Sequence, residues 1–428
     1  MSQSPSTATH TMPRERVRTS RLDLWLRKRV LMRLVGLKHA GLVIHDPVGT
    51  TRLGQPGAEL QAEVEVSDMR FWRLMATGGS VGAAEAYMAG LWNTPDPVAV
   101  VRVLARNRNA LPELERGGAR FTNALLGFWH AHNRNSLSGS RRNISAHYDL
   151  GNDFFGTWLD RGMMYSSALY ERADDDLEQA QFNKLERICR KLDLRPDDHL
   201  LEIGTGWGGL AIHAAERYGC HVTTTTISRE QYDHATAAVA AAGLSDKVRV
   251  LMQDYRDLDG EYDKLVSVEM IEAVGHHYLD TYLATIDRLL KPEGLALIQA
   301  ITIEDGRYRD ALSNVDFIKR YIFPGSFIPS VSAITASMAR SSRLGLIELA
   351  DFGASYALTL KSWRERFEAS WESISEMGFD DIFRRRWRWY LAYCEGGFRE
   401  RAISDVHLLM AGPDWRPASD CGLSAGQP

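Results

Sequence analysis

The stretch LLEIGTGWGGLAIHAA, residues 200–215, decides the fold. A short apolar strand ends at Glu202 and Ile203, Gly204, Gly206 and Gly208 follow at alternate positions, and a helix begins near Gly209. Glycine lets a loop turn sharply and lets its backbone come close to a ligand. Many nucleotide-binding folds share such a strand–loop–helix unit. Gly204, Gly206 and Gly209 also satisfy the dinucleotide pattern G-x-G-x-x-G, so the end of the second strand has to discriminate. A dinucleotide site places an acid there for the ribose, whereas this chain has Thr226, Ile227 and Ser228. Gln253, Asp254 and Tyr255 then put an acid and an aromatic ring after the third strand, which suits adenine through its amino group and its ring face.

Outward from the loop, apolar runs at 199–204, 220–227, 248–253, 264–270 and 295–303 read as five strands. Amphipathic helices separate most of them, beginning with 174–194, where Leu177, Leu185, Ile188 and Leu192 share one side. This alternation predicts an α/β fold of right-handed βαβ units around a parallel sheet. Upstream, 58–68 alternates like a strand and 80–92 reads as a helix ending at Gly90. The polar stretch HNRNSLSGSRR at 132–142 reads as a linker. It divides the chain into a smaller, mainly helical N-terminal unit, 1–138, and a larger unit, 139–428, that carries the glycine loop.

The 428 residues are enough to bury a core without disulfides. Lys and Arg number 51 against 55 Asp and Glu, a net charge of -4, which argues against a general nucleic-acid binder. No apolar run is long enough to span a membrane, and the opening residues lack the apolar segment of a secretory signal. Cys189, Cys220, Cys394 and Cys421 are scattered, with no CxxC, which suits a reducing cytoplasm and predicts no metal site. Charge is nevertheless uneven. Residues 14–38 are basic, with Leu22, Trp25, Leu26, Val30, Met32 and Leu34 between the charges. Helical spacing sets much of the apolar set on one side and the arginines on the other. That describes either a helix packed on its own domain or one touching an anionic membrane surface. RRRWRWY at 384–390 has the same two readings, with Trp387 or Trp389 turned inward in the first.

E-x-G-x-G-x-G after a first strand, with an acid after the third, resembles the class I methyltransferases that bind S-adenosylmethionine. Five further motifs narrow the resemblance: NISAHYDLGNDFFGTWLDRGMMYSSALY (143–170), VSVEMIEAVG (266–275), RYIFPGSFIPS (320–330), FGASYALTL (352–360) and YLAYCEGGFR (390–399). Together they resemble the cyclopropane-fatty-acid synthase and mycolic-acid methyltransferase family over roughly 143–410. The resemblance implies a Rossmann-like, mostly parallel seven-stranded sheet. It also implies methyl transfer from S-adenosylmethionine to the cis double bond of an acyl chain.

Carried over residue by residue, the resemblance puts Tyr165 and Ser166 against the cofactor. Glu202, Gly204, Gly206 and Gly208 form its methionine loop, Thr226, Ile227 and Gln231 face its ribose, and Asp254, Tyr255 and Arg256 its adenine. A bicarbonate base is implied, held by Ser167, Glu272, Gln299, Tyr356 and the backbone of Ile301. Cys394 matches a cysteine marked as active, and His147 is expected to help close a lid. Tyr165, Tyr255, Tyr321, Phe323, Phe327 and Tyr356 are expected to line an apolar pocket. Two positions depart from the family pattern. Ser167 stands where it often has Cys, and Gln299 where it often has His. Gln299 cannot carry a proton, so a methyl- or methylene-branched product stands beside the cyclopropane. A small-molecule methyltransferase and an inactive lipid-binding homologue complete the alternatives. The implied partners are unsaturated phospholipid acyl chains at the inner face of the membrane, with a homodimer left open and no nucleic acid.

Overall fold

The computed structural model describes residues 19–108 and 150–417, and in them the apolar positions sort into two sheets. The linker at 132–142, His147 and Cys421 lie outside the described residues. The smaller sheet comprises β1 (Gly41–Asp46), β2 (Gly49–Gly54), β3 (Gln61–Val66) and β4 (Trp92–Asn93), in the order β2-β1-β3-β4. In β3 the alternation expected from 58–68 turns Ala62, Val64 and Val66 inward. The β1–β2 hairpin is an addition to the sequence reading. Asp46 makes its turn by accepting the Val48 and Gly49 N–H groups at 2.9 and 3.1 Å.

Three helices cover this sheet: α1 (Arg21–Leu34), α2 (Arg70–Met88) and α3 (Pro97–Arg106). The helix expected over 80–92 extends back to Arg70, kinked where Gly79 takes φ 57°. Ser20 caps α1 and Asp23 returns the bond to the Ser20 N–H. Arg73 of α2 donates to Asp23 and holds its carboxyl down at about 2. The apolar set of α1 splits instead of sharing one side. Val30 and Leu34 are buried, whereas Leu22, Trp25 and Met32 are 53%, 51% and 65% exposed. They stand among the exposed Arg21, Lys28 and Arg29.

The larger sheet follows α4 (Asn152–Gly156) and α5 (Leu177–Lys191). Its first part runs β5 (His199–Ile203), α6 (Gly209–Tyr218), β6 (His221–Thr226), α7 (Arg229–Ala241), β7 (Val248–Met252), β8 (Tyr262–Val268), α8 (Leu279–Leu289) and β9 (Leu290–Ile303). After α9 (Asp305–Ser313), α10 (Phe317–Tyr321) and α11 (Val331–Ser341) come β10 (Gly345–Asp351), α12 (Gly353–Ala369), α13 (Trp371–Glu376), α14 (Asp381–Arg399) and β11 (Ile403–Ala411). The order is β10-β11-β9-β8-β5-β6-β7, and β11 alone runs antiparallel to its neighbours. The five expected strands are β5 to β9. Because β5 lies between β6 and β8, crossovers leave it in both directions, and a crevice opens at its C-terminal end.

Helices α12 and α14 join the apolar core of the small sheet, while the strands of the larger sheet pack in two further clusters. Trp389 packs 5.4 Å from Trp92 and 5.1 Å from Tyr87, centroid to centroid. Arg385 donates to the carbonyls of Tyr87 and Trp92, and Glu400 takes Arg102 and Arg106 of α3 at 2.8 Å each. RRRWRWY is therefore an internal joint, not a membrane surface. Trp387 and Trp389 are buried, and Arg384 is spent on Glu368 at 2.7 Å.

Candidate functional site

Gly206 takes φ 53° with open space where a Cβ would stand, so the loop after β5 presents bare backbone to the crevice. Gly209, which starts α6, is needed for a different reason. A Cβ there would meet Met164 Sδ at 2.7 Å and the Gly162 carbonyl at 2.9 Å. Asp160 folds that segment over the loop by accepting the Gly162 and Met164 N–H groups, both at 2.8 Å. Tyr165 and Ser166 are thereby carried to the crevice wall. Gly208 instead packs on Ala235 of α7, away from the wall.

The remaining cofactor candidates gather around this loop. Glu202 is buried beneath it, takes a 2.6 Å bond from Thr224 Oγ1, and is pushed up to about 8 by burial. Thr226 Oγ1 donates to Gln231 Oε1 at 2.7 Å. Asp254 holds Arg256 bidentately at 2.8 and 2.7 Å, with the Arg256 guanidinium over the Tyr255 ring. Ile227, Asp254, Tyr255 and Arg256 all line the same wall. Open backbone, a buried acid at one end, and a ring with a carboxylate at the other fit S-adenosylmethionine.

The residues expected around bicarbonate also converge, but on a side chain that the sequence reading missed. Glu269 lies just past β8, and its carboxylate takes the Ser167 N–H at 2.7 Å, Gln299 Nε2 at 2.8 Å and the Tyr356 hydroxyl at 2.7 Å. The Ile301 N–H goes to Glu272 Oε1 at 2.6 Å, while Glu272 Oε2 is buried without a hydrogen-bond partner. The Ser167 hydroxyl turns away to the Ala168 carbonyl, so Ser167 contributes backbone only. Gln299 Nε2 also donates to Asp405 at 2.9 Å, and its Oε1 faces His407 Nε2 at 3.1 Å, which fixes which way the amide points. Burial pushes Glu272 up to about 8 and raises Glu269 and Asp405 as well. Lys184, fully buried on Ser166 Oγ at 2.8 Å, is lowered to about 8 by the same burial and faces this cluster. The donors expected for bicarbonate are thus engaged, and two further carboxyl groups stand beside them. The residues present do not fit an added anion.

From the carboxylates a continuous cavity of about 630 Å³ runs to the apolar face of the small sheet. Tyr165, Phe323, Phe327, Tyr356 and Tyr390 line one stretch, and Leu34, Leu42, Val64 and Val101 line another. Tyr321, expected here, points elsewhere and donates to Glu85 at 2.6 Å. Cys394 lies on the wall, but burial pushes its thiol far up and keeps it protonated, so it offers no thiolate. Tyr390 was absent from the expected set and bonds the Tyr165 hydroxyl at 2.9 Å. The sequence did carry one signal for Glu269: two acids three residues apart, at the end of a strand whose C-terminal edge faces the ligand.

Residues 135–408 match the family model described as mycolic acid cyclopropane synthetase. The chain is similar to the tuberculostearic acid methyltransferase of Mycobacterium tuberculosis, 39% identical over 352 residues that cover 80% of this chain and 81% of the relative. It is equally similar to the cyclopropane-fatty-acyl-phospholipid synthase of Escherichia coli, 39% identical over 344 residues that cover 80% of this chain and 86% of the relative. Among solved structures it is similar to the mycolic acid cyclopropane synthase CmaA1 complexed with SAH and CTAB. The TM-score there is 0.59 at 29% identity, covering 63% of this chain and 98% of that one.

Proposed function

The chain belongs to the mycolic acid cyclopropane synthetase family, and on that premise we propose that it methylates the cis double bond of unsaturated phospholipid acyl chains and closes a cyclopropane ring. One observation carries the choice of an acyl substrate. The cavity beside the glycine loop continues into a long apolar wall furnished by the small sheet. A polar small molecule would gain nothing from that wall, whereas each buried methylene gains roughly 0.8 kcal/mol.

S-adenosylmethionine, when bound, supplies a methyl group on a cationic sulfur. Glu202, Thr226, Gln231, Asp254, Tyr255 and the backbone of Gly204 to Gly206 would hold it. Attack by the alkene leaves positive charge on the neighbouring chain carbon. The ring faces of Tyr165, Phe323 and Tyr390 stabilise that charge and keep water from quenching it. Loss of a proton from the new methyl closes the ring, while loss from an adjacent carbon leaves a branch. The branched product is a second reading, supported by Gln299 in place of a proton-carrying residue and by the tuberculostearic acid relative.

Among the described residues no helix is long and apolar enough to cross a membrane. Access to bilayer lipid is supported by the outer face of α1, where apolar and basic side chains alternate and the helix's one acid, Asp23, is buried. Incubation with methyl-labelled S-adenosylmethionine and unsaturated phospholipid vesicles, followed by mass spectrometry of the fatty acids, tests the reading. A ring-bearing acid is expected, a branched acid establishes the second reading, and unlabelled lipid refutes both.

A further inference from the structure

We propose that Glu269 is the general base of the reaction, a carboxylate built into the chain where the family resemblance places a dissolved bicarbonate. This rests on the acyl methyl-transfer reading above. Glu269 borders the cavity, as do Glu272, Tyr356 and Ile301. Its two oxygens take all three donors that bicarbonate would use from Ser167, Gln299 and Tyr356. Ile301 is spent on Glu272. A second anion would have to displace Glu269 from these donors and enter beside Glu272 and Asp405. Brought next to the Glu269 carboxylate in a buried site, a second negative charge is repelled. Burial, the main influence on Glu269, makes the carboxylate a stronger base than one in water.

The step balances without another reactant. The alkene pair forms the new carbon–carbon bond as the sulfur–methyl bond breaks and its pair stays on sulfur. The resulting chain cation gives one proton to Glu269, and the released C–H pair forms the third ring bond or a double bond. Glu269 becomes a neutral acid, balancing the positive charge lost from sulfur, and is deprotonated again by solvent after the product leaves.

The backbone supplies a second line of support and a clean variant. Glu269 sits at φ 48°, in the left-handed region. A side chain crowds the following carbonyl oxygen in that region, so glycine is favoured there. Glu269→Gly therefore removes the carboxylate, relaxes the backbone and frees three donors at once.

The test measures methyl transfer to unsaturated vesicles in buffer purged of carbon dioxide and in the same buffer with added bicarbonate, formate or acetate. The wild-type rate should be unchanged within about two-fold, because proton transfer is internal. Glu269→Gly should lose about 10²–10⁴-fold in kcat in purged buffer and recover at least about tenfold with added anion. Glu269→Gln should lose as much and not recover, since its amide fills the donors without accepting a proton. Calorimetry should show that both variants bind S-adenosylmethionine as wild type does, which separates loss of base from loss of fold. A wild-type rate that collapses in purged buffer, or Glu269→Gln with near-normal kcat, overturns the assignment. Failure of the wild type to label any lipid in either buffer condemns the functional reading instead.

Discussion

Tyr356→Phe is the most informative single substitution, because it removes one hydroxyl and leaves the ring that stacks on Phe398 at 4.4 Å. Ser167 and Gln299 both bond Oε1 of Glu269, whereas Tyr356 bonds Oε2. Without it, the carboxylate keeps two of its three side-chain and backbone donors. A hydrogen bond to a charged group is worth roughly 1.5–3 kcal/mol, and one pKa unit corresponds to about 1.4 kcal/mol. The Glu269 pKa should therefore rise by about one to two units. The sign follows from which form reacts. The carboxylate is the base and protonation silences it, so a higher pKa carries the acid limb of the kcat profile to higher pH. The assay is the initial rate of methyl transfer from about pH 5 to 9 at saturating cofactor and fixed ionic strength. An acid limb that stays in place while only KM changes would refute the reasoning and leave Tyr356 as a wall of the substrate cavity.

Gly209→Ala should weaken S-adenosylmethionine binding by about tenfold, since a methyl 2.7 Å from Met164 Sδ and 2.9 Å from the Gly162 carbonyl forces the 160–166 segment off the loop. Isothermal titration calorimetry checks this. Cys394→Ala should keep kcat within about fivefold, because a thiol held protonated in the cavity wall is neither nucleophile nor base. Initial rates decide it, and a loss comparable to that expected of a general base would restore a chemical role. Trp25→Glu with Met32→Glu should reduce sedimentation with anionic vesicles by at least about tenfold at low salt and leave the melting temperature within about two degrees, since both side chains are already exposed.

The glycine loop and strands β5 to β9 were legible because each is a local pattern: a β-branched or apolar run closed by glycine or by a helix start. Strand β11 escaped because its buried core includes Asp405 and His407, polar residues that break the apolar run and earn their burial through Gln299. Strand β10 escaped because it lies at the sheet edge and is largely exposed. That the residues expected at the cofactor, Gly208 apart, share one wall of the crevice was legible from their order along the chain. Glu269 was not, since its meaning depends on donors from residues 167, 299 and 356, which only the folded sheet brings together. The inward turn of Trp387 and Trp389 was one of two readings, and the choice waited on the fold because the partners of Trp389, Tyr87 and Trp92, come from the N-terminal unit.

The left-handed backbone at position 269 also bears on how such a site arises in evolution. Glutamate and glycine codons differ at a single base, and the local chain shape already suits glycine. One transition therefore exchanges a protein that carries its own base for one that borrows an anion from solution, with a gain rather than a loss of foldability. Within a lineage, dependence on dissolved inorganic carbon would then be a trait that a single point mutation acquires or discards.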